Sequence, residues 1–152
     1  MNFDGLNRFA PTALAALRIV TALLFIEHGT QKLFGFPAMR MAGGGAPPAG
    51  GGPSELMLTL MHIAGPLEVI GGLAVLLGLL SRPAAFILAG ECAVIYWLAH
   101  VPMGGFFPLL NGGESAILFC FVFLYIFFAG PGAWSLDGLW ASKPTGAMQA
   151  AQ

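Results

Sequence analysis

Apolar residues run along this chain in long blocks rather than alternating, and polar residues gather between the blocks. Four stretches carry about 20 mostly apolar residues each, the length needed to cross a hydrocarbon core. They run from Thr12 to Phe34, Glu55 to Leu80, Pro83 to Val101 and Gly113 to Gly130. Their Leu, Ala, Ile and Phe content without a period of two predicts helices rather than a membrane barrel. Little chain is left over. The expected fold class is therefore all-α: a single integral membrane four-helix bundle over residues 1–152.

The connections have their own signatures. Residues 41–53 form a Gly/Pro-rich loop, Ser81–Arg82–Pro83 a tight turn, and residues 102–112 a Gly/Pro/Phe loop at one mouth of the bundle. Trp134 and Trp140 mark an interfacial stretch, and residues 141–152 read as a frayed tail. The first apolar block is too long for the core of a cleavable signal peptide. Arg8, Arg82 and Lys143 share one side with both termini, against Lys32 and Arg40 on the other. That small excess places the termini in the cytoplasm.

Composition sharpens the class. The chain is 57% hydrophobic and 9% charged, with a formal net charge of −1. So little charge cannot clothe a water-soluble domain, and it excludes a nucleic-acid partner bound through a basic surface. The expected partner is the lipid bilayer.

What remains informative is where the few ionisable groups fall. Glu27, His28, Gln31 and Lys32 occupy the later half of span one, within a sector of about 140° at 100° per residue. His62 and Glu68 lie in span two, Glu91 and His100 in span three, and Asn111 and Glu114 at the start of span four. By depth, nearly all lie between mid-membrane and the side bearing the two long loops. Intramembrane ionisable groups normally face a bundle interior and find partners there. Neutral carboxyls beside imidazoles suit proton exchange with a lipophilic molecule. The expected reacting groups are Glu68, Glu114, His28 and His100. The expected binding groups are Glu27, Gln31, Lys32, His62, Glu91 and Asn111.

Further features qualify this picture. Glu91 and His100 are nine residues apart, or 180° on a straight helix, and share a cavity only if the helix bends or His100 belongs to the mouth. Arg18, near the first end of span one, is long enough to snorkel to the headgroups. The row Phe119, Phe121, Phe123, Phe127 and Phe128 is expected to face lipid or a partner helix. Cys92 and Cys120 share a depth and read as buried free thiols. No HxxxH, ExxH or CxxC spacing is present, so no metal or haem is expected. His62 and His100 have depths compatible with axial ligation, as random pairs also would.

Several stretches together resemble the DoxX family of small four-helix bacterial membrane proteins. They are Leu17–Arg18 with IEHGTQKLFGF (Ile26–Phe36), GPLEVIGGLAVLLGLLSRPAA (Gly65–Ala85), HVPMGGFFPLLNGGESAILF (His100–Phe119) and AGPGAWSLD (Ala129–Asp137). The resemblance covers about residues 12–138 and marks His28, Lys32, Glu68, Arg82, His100, Asn111 and Glu114. Family members are described as subunits of a terminal quinol oxidase or of a thiosulfate:quinone oxidoreductase. The resemblance thus implies a bacterial cytoplasmic (inner) membrane protein of the quinone and thiol redox setting. Quinone would be the ligand or cofactor, and redox-complex subunits or a second copy of the chain the partners. The same polar cluster also fits a proton or small-molecule transport module, or a non-catalytic assembly subunit.

Overall fold

The computed structural model describes residues 4–38 and 55–142. The Gly/Pro-rich loop at 41–53, Arg40, Lys143 and nearly all of the tail lie outside the described residues. Among the described residues every regular element is helical. A 3-10 turn (Asp4–Phe9) leads into α1 (Ala10–Phe34), followed by α2 (Glu55–Leu77) and α3 (Ser81–Ile95). From α3 the chain passes through a π-helical turn (Tyr96–His100) into α4 (Val101–Gly104). Then come α5 (Pro108–Asn111), α6 (Glu114–Ala129) and α7 (Leu136–Ala141).

The segments Gly5–Phe34, Glu55–Leu77 and Ser81–Gly104 are long and apolar enough to cross a membrane. The fourth apolar stretch forms a helix of 16 residues, about 24 Å at 1.5 Å per residue, which is shorter than a hydrocarbon core. α1 packs on α2, α3 on α6 and α2 on α3, and α1 touches α6 lightly. Ala22, Phe25, Val75, Ala85, Leu88, Ala89, Cys92, Phe123 and Ile126 form the buried core. Outside it the surface stays greasy: Val20, Leu23, Ile70, Phe86, Ile87, Leu118 and Phe121 are all exposed. An apolar shell of that extent is the exterior of a membrane protein.

Local chemistry explains the helix ends and contacts. Pro11 at the start of α1 presets the backbone angle. Gly35 ends α1 at φ 66°, its N–H donating to the Gln31 carbonyl at 3.0 Å. The α1–α2 contact depends on the absence of side chains. A Cβ on Gly29 would lie 2.7 Å from Val69 Cγ2 and 2.9 Å from the Gly65 carbonyl oxygen. Small residues let membrane helices approach closely, and that contact replaces a hydrophobic driving force.

The tight-turn end of the bundle is held by three polar side chains. Arg18 is fully buried, with 0% exposure. It does not snorkel, because its donors are all engaged within the protein. Nε donates to the Pro131 carbonyl at 2.8 Å, and one terminal nitrogen donates to Val75 at 2.7 Å and Leu76 at 2.5 Å. The other donates to Ala133 at 3.3 Å and Trp134 at 2.8 Å. One guanidinium therefore caps the last turn of α2, whose carbonyls lack helical partners, and ties it to the 131–134 segment. Arg82 donates to the Phe127 and Phe128 carbonyls at 2.7 and 2.9 Å, capping α6. Asp137 accepts from the Leu80 N–H, the Ser81 N–H and the Ser81 hydroxyl at 2.7–2.8 Å, closing the α2–α3 turn and capping α3.

Partial burial pushes the Asp137 carboxyl up. The Ser81 and Leu80 hydrogen bonds and the Arg18 charge outweigh this and hold it below its ordinary value. A depressed carboxyl stabilises the fold above its unfolded value, and that stabilisation is lost as pH falls through the folded one. The melting temperature is therefore expected to drop in acid below about pH 4. Asp137→Asn should lower it at neutral pH and flatten this acid slope, which melting curves in detergent between pH 3 and 7 would record.

Candidate functional site

A cavity of about 470 Å³ opens among the helices, on the side of the bundle away from the Arg18 latch. α1 contributes Phe25, His28, Gln31 and Lys32, and α2 contributes Met57, Met61 and Glu68. The α3–α4 run adds Cys92, Ile95, Ala99, His100 and Met103, and α6 with its approach adds Gly112, Ser115, Ala116 and Phe119.

At its polar side stands an ion pair. Lys32 Nζ lies 2.5 Å from one oxygen of Glu68 and 2.6 Å from the other. The Glu68 side chain is 3% exposed and that of Lys32 18%. Helix packing makes the pair possible. Glycines at 29 and 65 bring α1 and α2 together at this level, so Lys32, near the end of α1, reaches the middle of α2. Pro66 leaves an N–H out of the α2 ladder two residues before Glu68. His28 completes this side, its ring edge-on to Phe119 at 5.6 Å.

The far wall is shaped by the π-helical turn. There the Val101 N–H bonds back to the Tyr96 carbonyl, five residues earlier, and the helix phase shifts. Even with this shift the two do not share the cavity: His100 lines it, and Glu91 does not. His100 Nδ1 lies 3.1 Å from the Asn111 carbonyl oxygen. A carbonyl only accepts, so Nδ1 is the donor in this contact, which leaves Nε2 as the nitrogen that can accept a proton. Asn111 is buried, its amide donating to the Gly105 carbonyl at 2.7 Å and its oxygen accepting the Gly113 N–H at 2.8 Å. Tyr96 donates its hydroxyl proton to the Phe106 carbonyl. The loop over this mouth is thereby folded onto the helices.

The residues marked in the sequence separate into two groups. His28, Gln31, Lys32, Glu68 and His100 meet around one cavity. Glu27, His62 and Glu114 are exposed and outside its lining, Asn111 organises the loop, and Glu91 stands behind the wall. Glu27 is exposed because the α1 polar stripe is wider than the cavity, which takes up only its His28–Gln31–Lys32 side. The phenylalanine row divides as well. Phe123 is fully buried and Phe119 lines the cavity, both packed on Phe25, whereas Phe121 and Phe128 face outward. α6 rotates 100° per residue and cannot turn all five rings one way. Cys92 and Cys120 are free thiols.

Lining residues missed in the sequence include Phe25, Met57, Met61, Ile95, Met103 and Ser115. They carry no charge, and depth alone does not separate them from lipid-facing neighbours.

Comparison with known proteins agrees with this architecture. A Haemophilus influenzae protein described as uncharacterized is 42% identical over 142 residues, covering 92% of this chain and 99% of its own length. The Escherichia coli inner membrane protein YqjF is 31% identical, over 91% of this chain and 99% of its own length. An uncharacterized membrane protein of Mycobacterium tuberculosis is 28% identical, over 92% and 88%. No solved structure matches. The DoxX family model matches residues 13–101, the part of the chain that supplies the Lys32–Glu68 pair, His28 and His100, and on this match the chain is a membrane protein belonging to the DoxX family.

Proposed function

We propose that the cavity binds a small lipophilic molecule with a carbonyl or hydroxyl headgroup, of the quinone class, and that the protein serves as the quinone-binding subunit of a bacterial cytoplasmic-membrane redox complex. The observation that carries this reading is the Lys32–Glu68 pair, its carboxylate buried, set with His28, Gln31 and His100 into a chamber otherwise walled mainly by apolar side chains. Ligand pockets of about 300–1,000 Å³ are typically apolar with a few convergent polar groups, and this one has that composition.

The chemistry follows from the donors and acceptors present. A quinone carbonyl accepts only, and the Lys32 ammonium is a donor for it. A quinol hydroxyl donates, and Glu68 or the His100 acceptor nitrogen can take its proton. Methionine, Phe25 and Phe119 give adaptable walls for a flat ring. Oxidation of a quinol to a quinone releases two protons and two electrons. The protons pass to these side chains, and the electrons pass to a redox-active partner subunit. Glu114, exposed at the start of α6, has no part in this step.

The test is direct. A short-chain benzoquinone and a short-chain naphthoquinone are titrated against the purified protein in detergent. A ligand at one hundred times its Kd stabilises by about 2.7 kcal/mol, so the melting temperature should rise by several degrees with one ring class. No rise with either ring class rejects the reading.

A further inference from the structure

Among the described residues, the Glu91 carboxyl is buried without a hydrogen-bond partner at either oxygen. It lies in the middle of the Ser81–Gly104 span, one residue before Cys92, whose side chain lines the cavity. The charged groups that act on it are Glu68 of α2 and Lys32 of α1. The thiol next to it is Cys92 on its own helix, which in turn neighbours Cys120 on α6. Two carboxyls thus share one lysine, and Glu68 holds that lysine with both oxygens.

An ionised carboxylate left unpaired in such a place costs several kcal/mol, and a neutral acid costs far less. We infer that Glu91 is a proton store for the cavity, and that Lys32 changes partner when the proton moves. In the resting arrangement Lys32 pairs with an ionised Glu68 and Glu91 carries the proton. In the other, the O–H bond at Glu91 has broken, an O–H bond has formed at Glu68, and Lys32 pairs with the Glu91 carboxylate. No electrons change hands, and the three groups sum to zero charge in both arrangements. Glu68 faces the cavity and Glu91 does not, so the exchange delivers a proton to the ligand side from behind the wall. Only the ligand that finally uses the proton rests on the quinone reading; the exchange itself does not.

Infrared spectroscopy of the full-length protein in detergent at neutral pH reads this without any quinone present. The wild type should show the carbonyl stretch of a protonated carboxylic acid, and Glu91→Gln should lose it. In Glu68→Gln the lysine is left to Glu91, which then ionises, so the band should vanish there too. Glu68→Met gives the same reading if the glutamine variant does not fold. A band that persists in Glu91→Gln overturns the proton store. A band that persists in the Glu68 variants overturns the exchange of partners. Because no ligand is added, these failures are separate from a failure of quinone binding.

Discussion

Arg18→Met is expected to yield almost no folded protein. The side chain serves five carbonyl oxygens, of Pro131, Val75, Leu76, Ala133 and Trp134, from a position with no solvent exposure. Removing it strips the donor from four of those acceptors and leaves the Val75 carbonyl with only the Gly78 N–H. Each unsatisfied buried group costs about 1–3 kcal/mol, against a total stability of about 5–15 kcal/mol for a typical domain. Arg18→Lys should rescue only in part, since an ammonium has three donors and lacks the planar fork that spans two segments. The readouts are the monodisperse fraction on size exclusion in detergent and the melting temperature. A methionine variant that melts within a degree or two of wild type would show that the latch is not what joins α2 to the 131–134 segment.

The second large effect separates stability from function at the ion pair. Lys32→Met leaves Glu68 buried and alone, whereas Glu68→Leu hands Lys32 over to Glu91. Breaking a buried pair from one side costs about 3–5 kcal/mol, whereas replacing both partners with apolar groups is often neutral. The double variant Lys32→Met/Glu68→Leu should therefore regain most of the stability lost in Lys32→Met. It should not regain the thermal shift with a quinone, because the donor and acceptor for the headgroup are gone. Wild-type ligand stabilisation in the double variant would reduce the pair to a fastener between α1 and α2.

The sequence made the membrane class and the helices readable because apolar block length is a direct measure of bilayer crossing. It also made Lys32, Glu68 and His28 readable, because an ionisable group inside such a block has few places to go. Other features depended on contacts between distant segments. Arg18 looked like a residue reaching for headgroups, and its role depends on carbonyls more than fifty positions away. Asp137 ended a stretch marked by its tryptophans and by the family resemblance, neither of which names its partners, the Leu80 and Ser81 backbone. Glu27 and Lys32 fall on one stripe of α1, but the cavity admits only one edge of that stripe. Glu91 and His100 stood 180° apart on a straight helix, and although a π-helical turn lies between them, only His100 lines the chamber.

That irregular segment, Tyr96–His100, makes spacing as important as side-chain identity in the second half of the chain. Its extra residue sets the angle at which His100 meets the chamber. Losing or gaining a single position between Cys92 and Val101 would swing the imidazole by about 100° without changing any side chain. Insertions and deletions in this stretch would thus strike the chamber itself, even where every side chain is kept.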